Sequence, residues 1–387
     1  MNARREHLPA LTALRFFAAA MVYLFHLHAF KIAAGPGWFE GLSATGFSGV
    51  SLFFVLSGFI LVYTYGDRHF SLKDFWWARF IRVYPAYVFS LLLALPIFFY
   101  VLFKVPFTPE MQWIEWIKTN LVLTMTLVLG LLQAWLPPAA LGWNSVAWTL
   151  SNEAFFYLLY PLAFAGMVRL SRRPLGVAIV LCWLASLAAP LTYVYLQPDG
   201  VSSVSFEMNS LPWLNVVRFN PLVRLPEFLL GMCCGLWFLN GVISRRWATP
   251  LFVAGTLATA VAISLRHWIP YPVLHNGLLA PAFAAIIYAL ALKPDWSLVL
   301  NRRVFQTLGE ASYSFYLTHS LVIAVFFQPT GRLEPRSLLA HLICFALATL
   351  LATAIYKWIE EPARRRWRSG RLRPSLTSNA PSLYECS

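Results

Sequence analysis

The sequence predicts an all-α integral membrane protein of about ten transmembrane helices with both termini cytoplasmic. Three observations carry that prediction: an apolar composition, a scarcity of charge, and apolar runs that recur at the length of a bilayer. Of 387 residues, 59% are hydrophobic and 12% are charged, against about 25% charged in a soluble domain. A soluble chain this apolar could not cover its surface with polar groups, so the bilayer is the solvent for most of it. Apolar runs lie near 10–30, 46–65, 84–103, 149–168, 175–196, 221–240, 248–265, 273–292, 311–328 and 338–359. Each approaches the ~20 residues that a helix needs to cross a hydrocarbon core.

The first run follows Arg4 and Arg5 but carries Arg15, His26 and His28, and no small-residue cleavage site follows it. It therefore reads as a retained first span rather than a cleavable leader. An eleventh apolar stretch, 113–135, contains Glu115, Lys118 and Asn120. Charge arbitrates its status. With ten crossings, segments holding Arg79 and Arg82, Arg169 to Arg173, Arg245 and Arg246, Arg302 and Arg303, and the arginines from Arg364 to Arg373 fall on one side, the cytoplasmic one. A crossing at 113–135 would turn the later clusters outward, so it is expected to be re-entrant or interfacial. Residues 1–362 form the membrane domain, and 363–387 read as a basic, disordered tail.

A net charge of +14 on a soluble chain would raise nucleic acid as a partner. Here the basic residues lie mostly between spans, so no nucleic acid is expected and the bilayer is the partner. Cys182, Cys233, Cys234 and Cys344 lie within apolar runs and Cys386 near the end; no spacing suggests a zinc site or disulfides.

Ionisable groups within spans are costly and are functional candidates by default. Arg15 and His26 stand eleven residues apart, which at ~100° per residue is about 20° beyond three turns and about 16 Å along the axis. They share one helical face. Histidine is the side chain suited to proton transfer near neutral pH. Glu153, in Trp148-Thr149-Leu150-Ser151-Asn152-Glu153, is expected near the outer end of its span, level with His26, where a carboxylate would fix the imidazole tautomer; a helix-capping carboxylate is the plain alternative. Arg79 and Arg82 share a face at i and i+3 and sit at the cytoplasmic mouth, where guanidinium forks suit phosphate, or merely anchor the span. Arg224 and Glu227, also i and i+3, read as a structural ion pair at a span end. His319 falls mid-span and is a further candidate for the same cavity, whereas His275 and His341 read as structural.

Taken in order, these residues resemble the acyltransferase 3 family. Arg15 through His26 resembles its arginine–ten residues–histidine motif. Phe53-Phe54-Val55-Leu56-Ser57-Gly58-Phe59 resembles its second-span signature, and Arg79-Phe80-Ile81-Arg82 its RxxR motif. Trp148 to Glu153 and Tyr157 resemble its tryptophan–glutamate–tyrosine segment. Glu227-Phe228-Leu229-Leu230-Gly231 and Tyr316-Leu317-Thr318-His319 match later motifs. The resemblance runs from about 8 to 362 and is to stand-alone members without an appended esterase-like domain.

The resemblance implies an O-acyltransferase with no bound cofactor or metal. Acetyl-CoA, or another short acyl-CoA, is the cytoplasmic cosubstrate. The acceptor is a hydroxyl of a glycan, a lipid-linked sugar or another glycosylated product, and the setting is the bacterial cytoplasmic (inner) membrane. Expected catalytic residues are His26, Glu153 and Arg15, with Arg79, Arg82 and Arg15 holding acyl-CoA. Ser57, Trp148, Tyr157, Arg224, Glu227, Tyr316 and His319 are the candidates for the substrate cavity. His26 acts either as general base or as a nucleophile forming an acyl-histidine. A glycolipid or polysaccharide transporter or flippase would use the same intramembrane polar residues as a conduit, and a scaffold of a polysaccharide-synthesis complex would tolerate loss of His26. No internal repeat supports a repeat-built transporter.

Overall fold

The computed structural model describes residues 7–33, 35–66, 70–105, 111–293, 295–327 and 337–371. Arg4, Arg5, Arg68, Arg332, Arg336, Cys386 and the part of the expected tail at 372–387 lie outside the described residues. Among the described residues there is no strand. The α-helices are α1 (Pro9–Ala29), α2 (Gly37–Ala44), α3 (Gly49–Tyr65), α4 (Leu72–Lys104), α5 (Gln112–Thr119), α6 (Leu121–Leu129), α7 (Trp148–Met167) and α8 (Arg172–Leu196). They continue with α9 (Pro212–Phe219), α10 (Pro221–Leu239), α11 (Ala248–Ser264), α12 (Tyr271–His275), α13 (Ala280–Ala291), α14 (Arg303–Phe327), α15 (Leu338–Ile355) and α16 (Glu361–Arg371).

Eight of the helical segments are long and apolar enough to cross a bilayer. Near 149–168 and 311–328, where two further spans are expected, the chain forms the helices α7 and α14, of 20 and 25 residues. They are long enough but not apolar enough, because they carry Asn152, Glu153, Tyr157, Tyr313 and His319 along the interior of the bundle and Glu310 at an exposed position. The polarity that removes them from a hydropathy count is the polarity of the site they build.

Burial sorts the helices into two layers. In α1, the segment containing α3, and the segment from α12 to α13, 61%, 78% and 72% of the apolar window is buried. In α8 and in the segment ending with α11 the figures are 17% and 11%. Outer helices that are apolar yet unburied within the protein present that surface to lipid tails.

Two expectations change and a third gains detail. The 113–135 stretch does not form one helix. It breaks at Asn120 into α5 and α6, of eight and nine residues, each only about 12–14 Å long at 1.5 Å per residue and too short to cross. Helix α4 begins at Leu72 rather than near 84 and runs for 33 residues. Ser71 caps it by accepting a hydrogen bond from the Asp74 amide, so Arg79 and Arg82 share a face of one continuous helix, as their spacing implies. The basic stretch after 362 is helical as far as Arg371. Glu360 and Glu361 pair with Arg364 and Arg365 at i and i+4, an arrangement that supports a helix at its acidic first turn.

Glycines set the tightest crossing. A Cβ on Gly58 would overlap the Phe228 carbonyl oxygen, and one on Gly231 the Val55 carbonyl oxygen. Helices α3 and α10 therefore touch backbone to backbone, the close approach that small residues permit between membrane helices.

Candidate active site

Helix α1 places Arg15 and His26 in two different cavities. Arg15 lines one of them, together with Ser57 of α3, Arg79 and Arg82 of α4, and Glu153 and Tyr157 of α7. His26 lines the other, with Trp148, Arg218 and His275. Val50 and Tyr316 belong to the walls of both, so the cavities meet back to back at those side chains. The Tyr316 hydroxyl donates to the Val146 carbonyl at 3.2 Å and accepts from Thr149 Oγ1 at 3.1 Å. It is thereby fixed against the start of α7.

The Arg15 cavity is strongly charged. Arg364 joins the three arginines already named, and Glu310 and Glu360 join Glu153. Arg82 stands among Glu153, Glu360 and Tyr157. Arg79 donates from Nη2 to the Tyr65 hydroxyl at 3.0 Å, faces the rings of Tyr65, Phe75 and Tyr157 within 6 Å, and has no partner on Nε. Glu310 accepts from the Tyr356 hydroxyl at 2.8 Å, and Glu360 from Ser314 Oγ at 3.3 Å. Glu360 ends a π-helical turn, Tyr356–Glu360, a local distortion frequent at functional sites.

The His26 cavity is mostly apolar and rich in aromatic side chains, with Phe98, Trp113, Trp143, Trp148 and Phe219 in its wall. His26 itself is oriented by hydrogen bonds. His319 Nδ1 lies 3.2 Å from the Phe315 carbonyl oxygen, which can only accept, so that nitrogen carries the proton and Nε2 the lone pair. His26 Nδ1 lies 2.9 Å from the Val22 carbonyl oxygen and 3.1 Å from His319 Nε2. Both neighbours accept, so Nδ1–H is shared between them. In neutral His26 the lone pair therefore belongs to Nε2.

This corrects the expected pairing of His26 with Glu153. Glu153 lies in the Arg15 cavity, and His319 holds the imidazole. The reason is the depth at which α7 begins. The chain ahead of it is tucked inside the bundle, where Gln133 donates to the Ala147 carbonyl at 2.9 Å and Asn144 to the Leu317 carbonyl at 3.0 Å. Trp148 thus starts at the level of the His26 cavity, and Glu153, ~7.5 Å further along the axis, reaches the other cavity.

Arg224 and Glu227, expected in the substrate cavity, line neither one. They are 0% and 1% exposed and pair at 2.9 Å. Glu227 Oε1 accepts from Ser51 Oγ and from the Gly277 amide, both at 2.7 Å. Arg224 donates to the His275 carbonyl at 2.8 Å, to Ser51 Oγ at 3.0 Å and to Asn276. Gly277 has φ +54, a conformation open to glycine that aims its amide at Glu227. The network ties α3 and α10 to the turn after α12. Among the described residues no His, Cys, Asp or Glu cluster could hold a metal ion.

Residues 8–358 match the family described as "Acyltransferase domain". The chain belongs to that family. The acyltransferase is 28% identical over 401 residues to the acyltransferase MdmB of Streptomyces mycarofaciens, an alignment covering 100% of this chain and 98% of that protein. It is 26% identical to the O-acetyltransferase OatA of Staphylococcus aureus (strain NCTC 8325 / PS 47), and 27% to the putative peptidoglycan O-acetyltransferase YrhL of Bacillus subtilis (strain 168). Those alignments take in 93% of this chain but 58% and 55% of the relatives, so the chain spans little more than half their length. No solved structure matches. The protein is thus an integral membrane acyltransferase of the O-acetyltransferase type.

Among the residues lining these cavities, Glu310, Glu360 and Arg218 were not candidates from the sequence, and Arg364 was read only as part of the basic tail. Glu310 and Glu360 each fall one residue outside an apolar run, at 311–328 and 338–359. They look like loop carboxylates until α14 proves to begin at Arg303 and the π-helical turn Tyr356–Glu360 to continue the chain from α15. Glu360 had a signal, since it directly precedes Glu361 and Pro362 at the inner end of a span.

Proposed function

We propose that the protein transfers an acetyl or other short acyl group from acyl-CoA to a hydroxyl of a glycan or glycosylated acceptor at a bacterial cytoplasmic membrane. The observation that carries this reading is the placement of Arg15 and His26 on one helix face but in two cavities that share Val50 and Tyr316. A charged cavity suits a polyanionic donor, and an aromatic cavity suits sugar rings and apolar groups. Arg79 and Arg82 bind CoA phosphates, and Arg15 guides the pantetheine arm inward. Glu153 belongs to the donor side, where it orients Arg15 and Arg82.

His26 Nε2 takes the proton of the acceptor hydroxyl as its oxygen attacks the thioester carbonyl. The carbon–sulfur bond breaks, and the imidazolium returns the proton to the departing CoA thiolate. Each element is thereby accounted for without another reactant. An acyl-histidine would form on the same lone pair; acyl-CoA supplied without acceptor would then leave labelled His26. A transporter would need no donor cavity, and the three arginines grouped beside Arg15 favour the enzyme.

The test is labelled acetyl-CoA given to sealed inverted and right-side-out vesicles carrying wild type, His26→Ala or Arg82→Ala. Incorporation is expected in inverted vesicles alone. It should fall by about 10²–10⁴-fold without the base at position 26, and recover at high acetyl-CoA in Arg82→Ala. Full incorporation by His26→Ala would overturn the mechanism.

A further inference from the structure

Arg218 is a buried cation that no carboxylate among the described residues neutralises. It sits on α9, in the wall of the His26 cavity, and is 6% exposed. Its Nη1 donates to Asn209 Oδ1 at 2.9 Å and to Asn215 Oδ1 at 3.4 Å. Its guanidinium carbon stands 4.6 Å from the Phe219 ring centroid and 5.6 Å from that of Tyr271. Its Nε has no hydrogen-bond partner. Among the described residues no carboxylate pairs with it.

Arg224, six residues on, shows how this fold treats an arginine whose work is structural. It is fully enclosed and closed off by Glu227 at 2.9 Å, Ser51 and Asn276. Arg218 differs on both counts, since it faces a cavity and lacks a counter-charge. The other charged side chains of that cavity, Lys31 and Glu207, pair with each other at 3.4 Å. With His26 and His275 neutral, the wall carries one uncompensated positive charge, and it is fixed in place by two amides and two rings. A guanidinium out of water without an anion is costly. Held by neutral oxygens and facing the cavity without a paired carboxylate, it is placed to receive an oxyanion.

We infer that the acceptor carries a carboxylate or phosphate group, and that Arg218 binds this group while the hydroxyl to be acylated faces His26. The inference rests on reading the His26 cavity as the acceptor site. It narrows the acceptor to an anionic sugar or sugar conjugate whose remaining faces lie against Trp143, Trp148 and Phe219. Arg218 is then a specificity-determining residue: it selects the molecule and takes no part in moving the proton.

Three probes of common shape test this: octyl β-glucoside, octyl β-glucuronide, and octyl β-glucoside 6-phosphate. Their binding to the purified full chain is measured by calorimetry below their micelle-forming concentrations, for wild type, Arg218→Gln and Arg218→Lys. Wild type should bind one or both anionic probes at least tenfold more tightly than the neutral one, and the better of the two names the group. Arg218→Gln should erase the difference while leaving the affinity for octyl β-glucoside unchanged, and Arg218→Lys should keep part of it. Equal affinity for all three in wild type overturns the inference even if a variant fails to fold, as does a preference that survives in Arg218→Gln. Incorporation of label from acetyl-CoA is read separately. Transfer that depends on His26 but shows no charge preference would sink this inference and leave the enzyme reading standing.

Discussion

Two imidazoles in contact must divide their nitrogens between giving and accepting. His319 gives its Nδ1 proton to the Phe315 carbonyl and offers Nε2 to His26. His26 has its own Nδ1 proton committed and turns Nε2 toward acceptor chemistry. Packing reinforces this, since His319 is fully buried, stacks on Phe315 at 5.8 Å and meets His26 edge-on at 4.9 Å. His319 is a positioning residue, because it reaches the reaction through His26. His319→Ala should lower kcat by about 10²-fold, within the range of a misplaced general base. The KM for acyl-CoA should stay as it is, and the pH–rate profile should shift because one of the two Nδ1 partners of His26 is gone while the Val22 carbonyl remains. A variant with unchanged kcat and profile would reduce His319 to packing. The Arg15–His26 face was legible in the sequence, since helical phase depends only on spacing. The partner of His26 was not, because phase along one helix does not say which other helix stands opposite. Glu153 was misplaced for a related reason. Its depth depends on buried turns before Trp148 that have no hydropathy signature.

Helices α3 and α10 explain two motifs that the sequence could only recognise. Ser57-Gly58 and Glu227 to Gly231 are opposite sides of one crossing, with Gly58 and Gly231 allowing the backbones to meet and the Arg224–Glu227 pair anchoring the same helix to Ser51 and the turn at Gly277. Gly231→Val forces the helices apart. Overpacking of this kind costs about 1–3 kcal/mol, or more where the obstacle is backbone, so the variant should melt well below wild type in detergent. Gly166→Ala, where added bulk meets nothing within 4 Å, should melt with wild type. Glu227→Ala leaves Arg224 buried without its counter-charge, a loss of about 3–5 kcal/mol. Its melting temperature should fall while the acyl-CoA affinity of the folded fraction is retained. Loss of affinity without loss of stability would return Glu227 to the substrate cavity. Spacing at i and i+3 suggested the ion pair in the sequence, but spacing alone cannot tell a pair that faces a cavity from one that closes a helix crossing.

On the scale of the whole molecule, the all-α membrane class was legible because apolar runs of bilayer length need no tertiary knowledge. The count was less so: α7 and α14 spend their apolarity on Glu153, Glu310 and His319, and fall short of the eight segments that qualify by composition. What no stretch of sequence contains is the arrangement of two cavities back to back, because it is made by side chains from α1, α3, α7 and α14 together. That arrangement demands a passage. If acyl-CoA enters beside Arg15 and the acceptor waits beside His26, the thioester must pass the side chains common to both walls. Val50 is one of them, 4% exposed and short enough to leave room. Val50→Phe adds an aromatic ring at that point. Acyl-CoA binding, measured by calorimetry, should be unchanged because Arg15, Arg79 and Arg82 are untouched, and acceptor binding likewise. Transfer should fall at least tenfold, since the reacting carbonyl can no longer reach Nε2 and misplacement by about 1 Å already costs about 10²-fold. Val50→Ala, which widens the same point, should transfer at or near the wild-type rate. A Val50→Phe protein that binds both substrates and transfers at full speed would mean that the two meet elsewhere, and that the shared wall is only a wall.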